Sequence, residues 1–263
     1  MAQPTGRAEK PAHLSVLSMK NKKHMNCTLG DFNNHLMNGL DFCKKAYGLF
    51  EEIRRCPDGI ERLKLRKGRQ EKKLIEELLP IARYIQARYS SGRQIKVRWI
   101  DGKQNYDARL LFAGVLVEKR LAPKGQYVEV TTAVHENDHI SRRLMNEQGH
   151  TFGVKGIQKD PRTGKYVSRP HAYTNHEGSE DLAKKILERI KAKNKIEYPT
   201  HTTLIIQCFL DTLFWESEWE YAIQMVKCSG VVYRFQEIFL FDSNHHYSAT
   251  MHGDRGKGNK KAQ

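Results

Sequence analysis

From Leu29 to about Arg55, apolar residues return mainly at spacings of three and four: Phe32, Leu36, Leu40, Phe42, Ala46, Phe50 and Ile53. That period predicts an amphipathic helix. Cys56-Pro57-Asp58-Gly59 carries turn chemistry and breaks it. A second helix is predicted from about Arg69 to Tyr89, with Leu74, Ile75, Leu78, Ala82 and Ile85 as its apolar stripe. Pro80 falls inside it, so a kink or a restart is expected there. The period then shortens to two. Residues 95–100, 105–117 and 126–134 read as three strands, with Asp101-Gly102 as a hairpin signal between the first two. A short helix is expected from about Asn137 to Glu147, ended by Gly149. Residues 150–177 read as a loop or loose ribbon, and Ser179 as the cap of a helix over 180–194. Residues 203–210 and 235–241 are almost continuously apolar, as in strands buried on both faces. Residues 214–227 between them read as helix. The order predicts an α/β fold: a mixed central sheet flanked by helices, with an N-terminal helical extension.

Four segments follow from this pattern: a flexible basic arm (1–25), the helical extension (26–68), the main α/β domain (69–252) and a flexible basic tail (253–263). The chain has 263 residues and a hydrophobic content of 39%, enough for a real core. No apolar run approaches a membrane span, and the first residues lack a secretory h-region. Five scattered cysteines without a C-x-x-C read as reduced thiols in a cytoplasmic protein. Lys and Arg outnumber Asp and Glu by 45 to 30, a formal +15. That excess reads either as well-solvated surface charge or as attraction to a polyanionic partner, nucleic acid above all; without an apolar span, no membrane partner is expected.

The third strand holds the most informative residue. Glu129 and Thr131 share a face, and Glu129 lies between Val128 and Val130 in an otherwise apolar run. Burying a lone charge is costly unless it is paired or binds a metal. Asp107 is equally out of place on the neighbouring strand, although Arg109 could pair with it. Two carboxylates side by side on adjacent strands form an oxygen site for Mg²⁺. On the preceding helix, placement at 100° per residue puts Glu71 in mid-stripe and Glu77 at its edge. Glu71 is expected to face the sheet, unless it serves the helix dipole.

Helix with Glu71, strand, strand with Asp107, strand with Glu129, helix, then a buried strand resembles the core of the PD-(D/E)xK nuclease superfamily, over roughly residues 69–211. The resemblance implies a restriction-endonuclease-like fold. It implies Asp107 and Glu129 as ligands of Mg²⁺ or Mn²⁺, with Glu71 as an assisting acid. Thr131 occupies the place of the superfamily's lysine and lacks its cation. Some members carry the cation on the next helix, where Arg142 and Arg143 lie, able to stabilise negative charge but not to act as bases. The implied activity is metal-dependent hydrolysis of phosphodiester bonds, with DNA ahead of RNA as partner. The alternative is a catalytically degenerate module of the same fold that binds nucleic acid or protein.

His135-Glu136-Asn137-Asp138-His139 also matches H-E-x-x-H, which needs both histidines on one helical face around zinc. The strand pattern before it and the cap-forming Asn and Asp within it disfavour a zinc hydrolase. His245, His246 and His252 read as exposed tail residues. Trp215 and Trp219 read as core-packing partners on one helix face.

Overall fold

The computed structural model describes residues 27–121, 123–172, 174–210, 215–244 and 246–253. The basic arm, and the basic tail after Gly253, lie outside the described residues. The helices are α1 (Gly39–Arg54), α2 (Gly59–Leu65), α3 (Arg69–Lys73), α4 (Leu79–Arg88), α5 (Val115–Glu118), α6 (Asp138–Gln148), α7 (Asn175–Asn194) and α8 (Glu216–Cys228). The strands are β1 (Leu36–Asn38), β2 (Gln94–Trp99), β3 (Ala108–Ala113), β4 (Gly125–Ala133), β5 (Ile157–Lys159), β6 (Tyr166–Ser168), β7 (Thr202–Cys208), β8 (Glu237–Asp242) and β9 (Ser248–His252).

Seven strands form one mixed sheet in the order β1-β2-β3-β4-β7-β8-β9, and β5 and β6 form a separate ribbon. The pairs β2–β3 and β3–β4 are antiparallel, whereas β4–β7 and β7–β8 are parallel. Every residue of β7 is buried, as a central strand covered on both faces requires. On one face, Val128, Val130, Ile205, Phe239 and Phe241 pack with Phe42, Ala46 and Leu49 of α1 and Ile81, Ala82 and Ile85 of α4. On the other, Ala133, Leu204, Ile206 and Leu240 pack with Leu182, Ile186 and Ile190 of α7 and Trp219, Ala222 and Ile223 of α8. The helical extension therefore shares the sheet's core, and β1 joins the sheet's edge. Among the described residues no helix is long and apolar enough to cross a membrane.

Several local expectations change. The first predicted helix starts ten residues late. Leu29–Asp31 is a 3-10 turn, Asn34 takes a positive φ, and Leu36–Asn38 pairs with β2 before α1 begins. Asn38 then caps α1 by accepting from Leu40 N at 2.9 Å. The second predicted strand is shorter: Gly114 at φ +105 stops it, and the short α5 follows. Ser179 lies inside α7 and donates to the Glu218 carbonyl; Thr174 is the cap, accepting from Glu177 N. Residues 248–252 are an edge strand, not part of a tail. Trp219 is buried and stacks with Tyr247, but Trp215 is exposed at the start of α8.

The Pro80 region restarts without a break. α3 and α4 are joined by a π-turn over Leu74–Leu78, in which Leu79 N donates to Leu74 O. Proline has no N–H to give, and its ring clashes with the carbonyl four residues back in a regular helix. A wider turn just before it relieves that clash.

The β3–β4 register depends on close backbone approach at Gly125, which pairs with Leu111. A Cβ there would lie 2.8 Å from Leu110 O. Gly125→Ala is expected to cost about 1–3 kcal/mol of stability through this overpacking. Urea denaturation reads it as a lower midpoint, and an unchanged midpoint would show that the pairing tolerates a side chain there.

Candidate acid cluster

The register ends where Ala108 pairs with Val128, which leaves Asp107 at the strand end, near enough to Glu129 for the two charges to interact. Asp107 N donates to Val128 O at 2.8 Å, and its own carbonyl accepts from Ile100 N at 2.9 Å. Beyond this point β3 leaves β4. The Asp107 carboxylate takes over as acceptor for the next strand amide, Val130 N, at 2.8 Å. The acid thus closes the end of the ladder, which is a structural task in its own right.

Glu129 is buried on the sheet face under α7, and its Oε1 receives the Lys193 ammonium in a short ion pair. Lys193 was not singled out from the sequence. Its signal was there: it continues the stripe Leu182, Ala183, Ile186 and Ile190 that α7 turns toward the sheet. A lysine on a buried stripe needs an acid, and Glu129 is that acid.

The helix acid beside Asp107 is Glu77, not Glu71. Glu77 accepts from Trp99 Nε1 at 3.0 Å and from Lys73 Nζ at 2.5 Å. Its charge, after burial itself and together with that of Glu129, pushes the Asp107 carboxyl up to about 7. Burial pulls the Lys73 ammonium down. The bond to Glu77 and the charges of Glu77, Asp101 and Asp107 overcome that and hold it above its usual value. Glu71 is buried but turned to α2, where Arg62 Nε donates to its Oε1 at 2.8 Å. The π-turn explains the exchange. A helix phase counted at 100° per residue does not carry across a turn closed by an i→i+5 bond.

Thr131 lies two residues beyond Glu129 on the same face and pairs with Ile206 of β7. Tyr198 brings a buried hydroxyl near both acids, and burial followed by the charges of Glu129 and Asp107 raises its pKa. Arg142 and Arg143 make their bonds elsewhere. Arg142 pairs with Asp138 at 3.1 Å, and burial with the nearby Arg66 lowers its pKa. Arg143 is half-exposed, 3.9 Å from Glu147 and over the Tyr166 ring. The cation at the acids comes from α7, not from α6.

The histidine motif is split. His135 lies in the loop after β4, with its Nδ1 accepting from Asn137 N at 3.1 Å. His139 is the second residue of α6. The two are therefore not successive turns of one helix, as a zinc site of that type needs. Among the described residues no group of three or more His, Cys, Asp or Glu is arranged to hold a metal. Asp107 and Glu129 nevertheless fit Mg²⁺ in donor chemistry, since that ion is bound through one or two carboxylates and keeps several waters.

A carboxyl raised from 3.8 to about 7 in the folded state keeps a proton that the unfolded chain has lost. Stability then falls as pH rises between about 4 and 7 and levels off above. Denaturation midpoints for wild type and Asp107→Asn across that range are expected to converge at the acid end and part toward pH 7, the wild type losing more. Parallel curves would contradict the raised value. Glu71→Ala is expected to cost about 1–3 kcal/mol by removing the buried acceptor of Arg62, read in the same assay; a neutral result would deny the ion pair a structural role. Comparison of the chain with protein-family models, with curated proteins and with solved structures gave no match.

Proposed function

We propose that this chain is a metal-dependent nuclease-like protein that hydrolyses phosphodiester bonds in nucleic acid. The observation that carries this reading is the nearness of Asp107 and Glu129 where β3 and β4 part, with the Lys193 ammonium on Glu129. The element order supports the resemblance to the PD-(D/E)xK superfamily: a long helix, the antiparallel meander β2-β3-β4, helices, then the parallel strand β7.

Asp107 and Glu129 would hold Mg²⁺ or Mn²⁺, which when bound polarises a phosphoryl oxygen and lowers the pKa of a bound water. Lys193 supplies the cation that Thr131 lacks. Its ammonium can hold a water or a phosphate oxygen next to Glu129 as a charged donor. Glu77 keeps Lys73 at the rim of the cluster, a second cation facing the negative charge that develops on phosphate. The +15 charge of the chain favours approach of a polyanion, so affinity should fall as salt rises.

A binding module of the same fold is the second reading. One observation favours it: Asp107 and Glu129 each already hold a partner within the chain, the Val130 amide and Lys193.

The test is cutting of plasmid and of single-stranded DNA and RNA with Mg²⁺, Mn²⁺ or EDTA. Cutting is expected only with metal. Glu129→Gln and Lys193→Met are each expected to slow it about 100-fold or more. Cutting that survives both substitutions sinks the nuclease reading. A folded wild type that binds in a shift assay but never cuts points to the binding module.

A further inference from the structure

On the sheet face covered by α1 and α4, a cleft of about 530 Å³ lies against the end of α4 and strands β4, β8 and β9. That volume is in the range of small-ligand sites. Arg88 and Arg93 both line it, with Gln126, Glu237 and His252. Arg88 donates through Nη2 to Glu237 Oε1 at 2.7 Å and to Thr250 Oγ1 at 3.0 Å. Its guanidinium lies over the rings of Tyr84 and Phe239. Arg93 lies over Phe112, 5.4 Å from the ring centroid, and no acid pairs with it among the described residues. The Tyr84 hydroxyl accepts from Gln126 Nε2 at 2.6 Å.

Two features bear on what this cleft could hold. Two guanidiniums face one carboxylate, which leaves a net positive charge. The Nε atoms of both Arg88 and Arg93 are also buried without a hydrogen-bond partner. Buried polar groups are nearly always paired, and a guanidinium carries donors only. The guanidiniums that line the cleft can only donate, so what complements them is an acceptor. A compact oxyanion offers several acceptor oxygens and the compensating charge at once.

We infer that this cleft binds a phosphate group, with Arg93 and Arg88 as its donors. It is separate from the acid cluster: Gln126 lies on β4 three residues before Glu129, so its side chain is on the opposite face of the sheet. The phosphate belongs either to a free phosphate species or to the backbone of a nucleic acid, and the chemistry of recognition is common to both.

Arg93→Gln removes a charge without breaking an ion pair, whereas removing Arg88 would strand Glu237. Isothermal titration measures binding of inorganic phosphate, and of a short single-stranded oligonucleotide without terminal phosphates, at constant ionic strength. Wild type, Arg93→Gln and a control, Arg162→Gln in an exposed loop, are compared, with thermal melting to show that all three are folded. Arg93→Gln is expected to weaken binding about tenfold or more, and the control to leave it unchanged. Weakened phosphate binding assigns a free phosphate species; weakening for the oligonucleotide alone assigns backbone phosphate. Equal binding of both probes by wild type and Arg93→Gln overturns the inference. So does an equal loss in the control, or failure of wild type to bind either probe.

Discussion

Acids withdrawn from water at the parting of β3 and β4 must each find a partner, and the elements around them are placed to supply one. Glu129 has Lys193, Asp107 has the Val130 amide, and Glu77 has the Trp99 indole and Lys73. What these partners leave uncompensated is the repulsion among the acids themselves. Burial is the first cause of the raised Asp107 carboxyl, and the charges of Glu77 and Glu129 add to it. The cluster therefore gains from any additional positive charge, whether a proton or a cation. This links a feature of folding to the chemistry proposed for it.

Two scaffold details bring the charges together. The π-turn before Pro80 resets the helix so that Glu77 reaches the Trp99 indole while Glu71 stays with Arg62. The packing of α7 through Leu182, Ala183, Ile186 and Ile190 presents Lys193, one turn further on, to Glu129. Neither detail depends on a loop. The acids sit at a strand end and a helix face, and their cations sit on helices.

Most of the architecture was legible in the pattern of apolar positions. The strands β2, β4, β7 and β8 and the helix α8 lie close to where periodicity put them, because each buries a full face or a full stripe; α6 does too, on Ile140 and Leu144 alone. The failures have physical causes. β1 and β9 are short edge strands of mixed polarity, stabilised by their neighbours more than by their own residues. The start of the first helix was missed because Leu36 continues its spacing while lying exposed on a strand. At the candidate site, Asp107 and Glu129 were readable as charges in apolar strands. Glu77 was not, because a regular helix phase was carried across an irregular turn. Lys193 was overlooked because a lysine on a largely charged helix draws attention only when its place on the buried stripe is traced.

The position of the cation has a further consequence. A lysine at position 131 would be held by the strand itself, two residues or about 7 Å along the same pleat from Glu129. Lys193 is instead held by the docking of α7 on the sheet, with Ile190 fully buried one turn before it. The relation of cation to carboxylate is thus set by helix-to-sheet packing, and Lys193 bonds to the very acid that a lysine at position 131 would only neighbour. Glu129 holds α7 in place as much as α7 holds Lys193. Stability and site geometry therefore share one ion pair, Lys193 with Glu129.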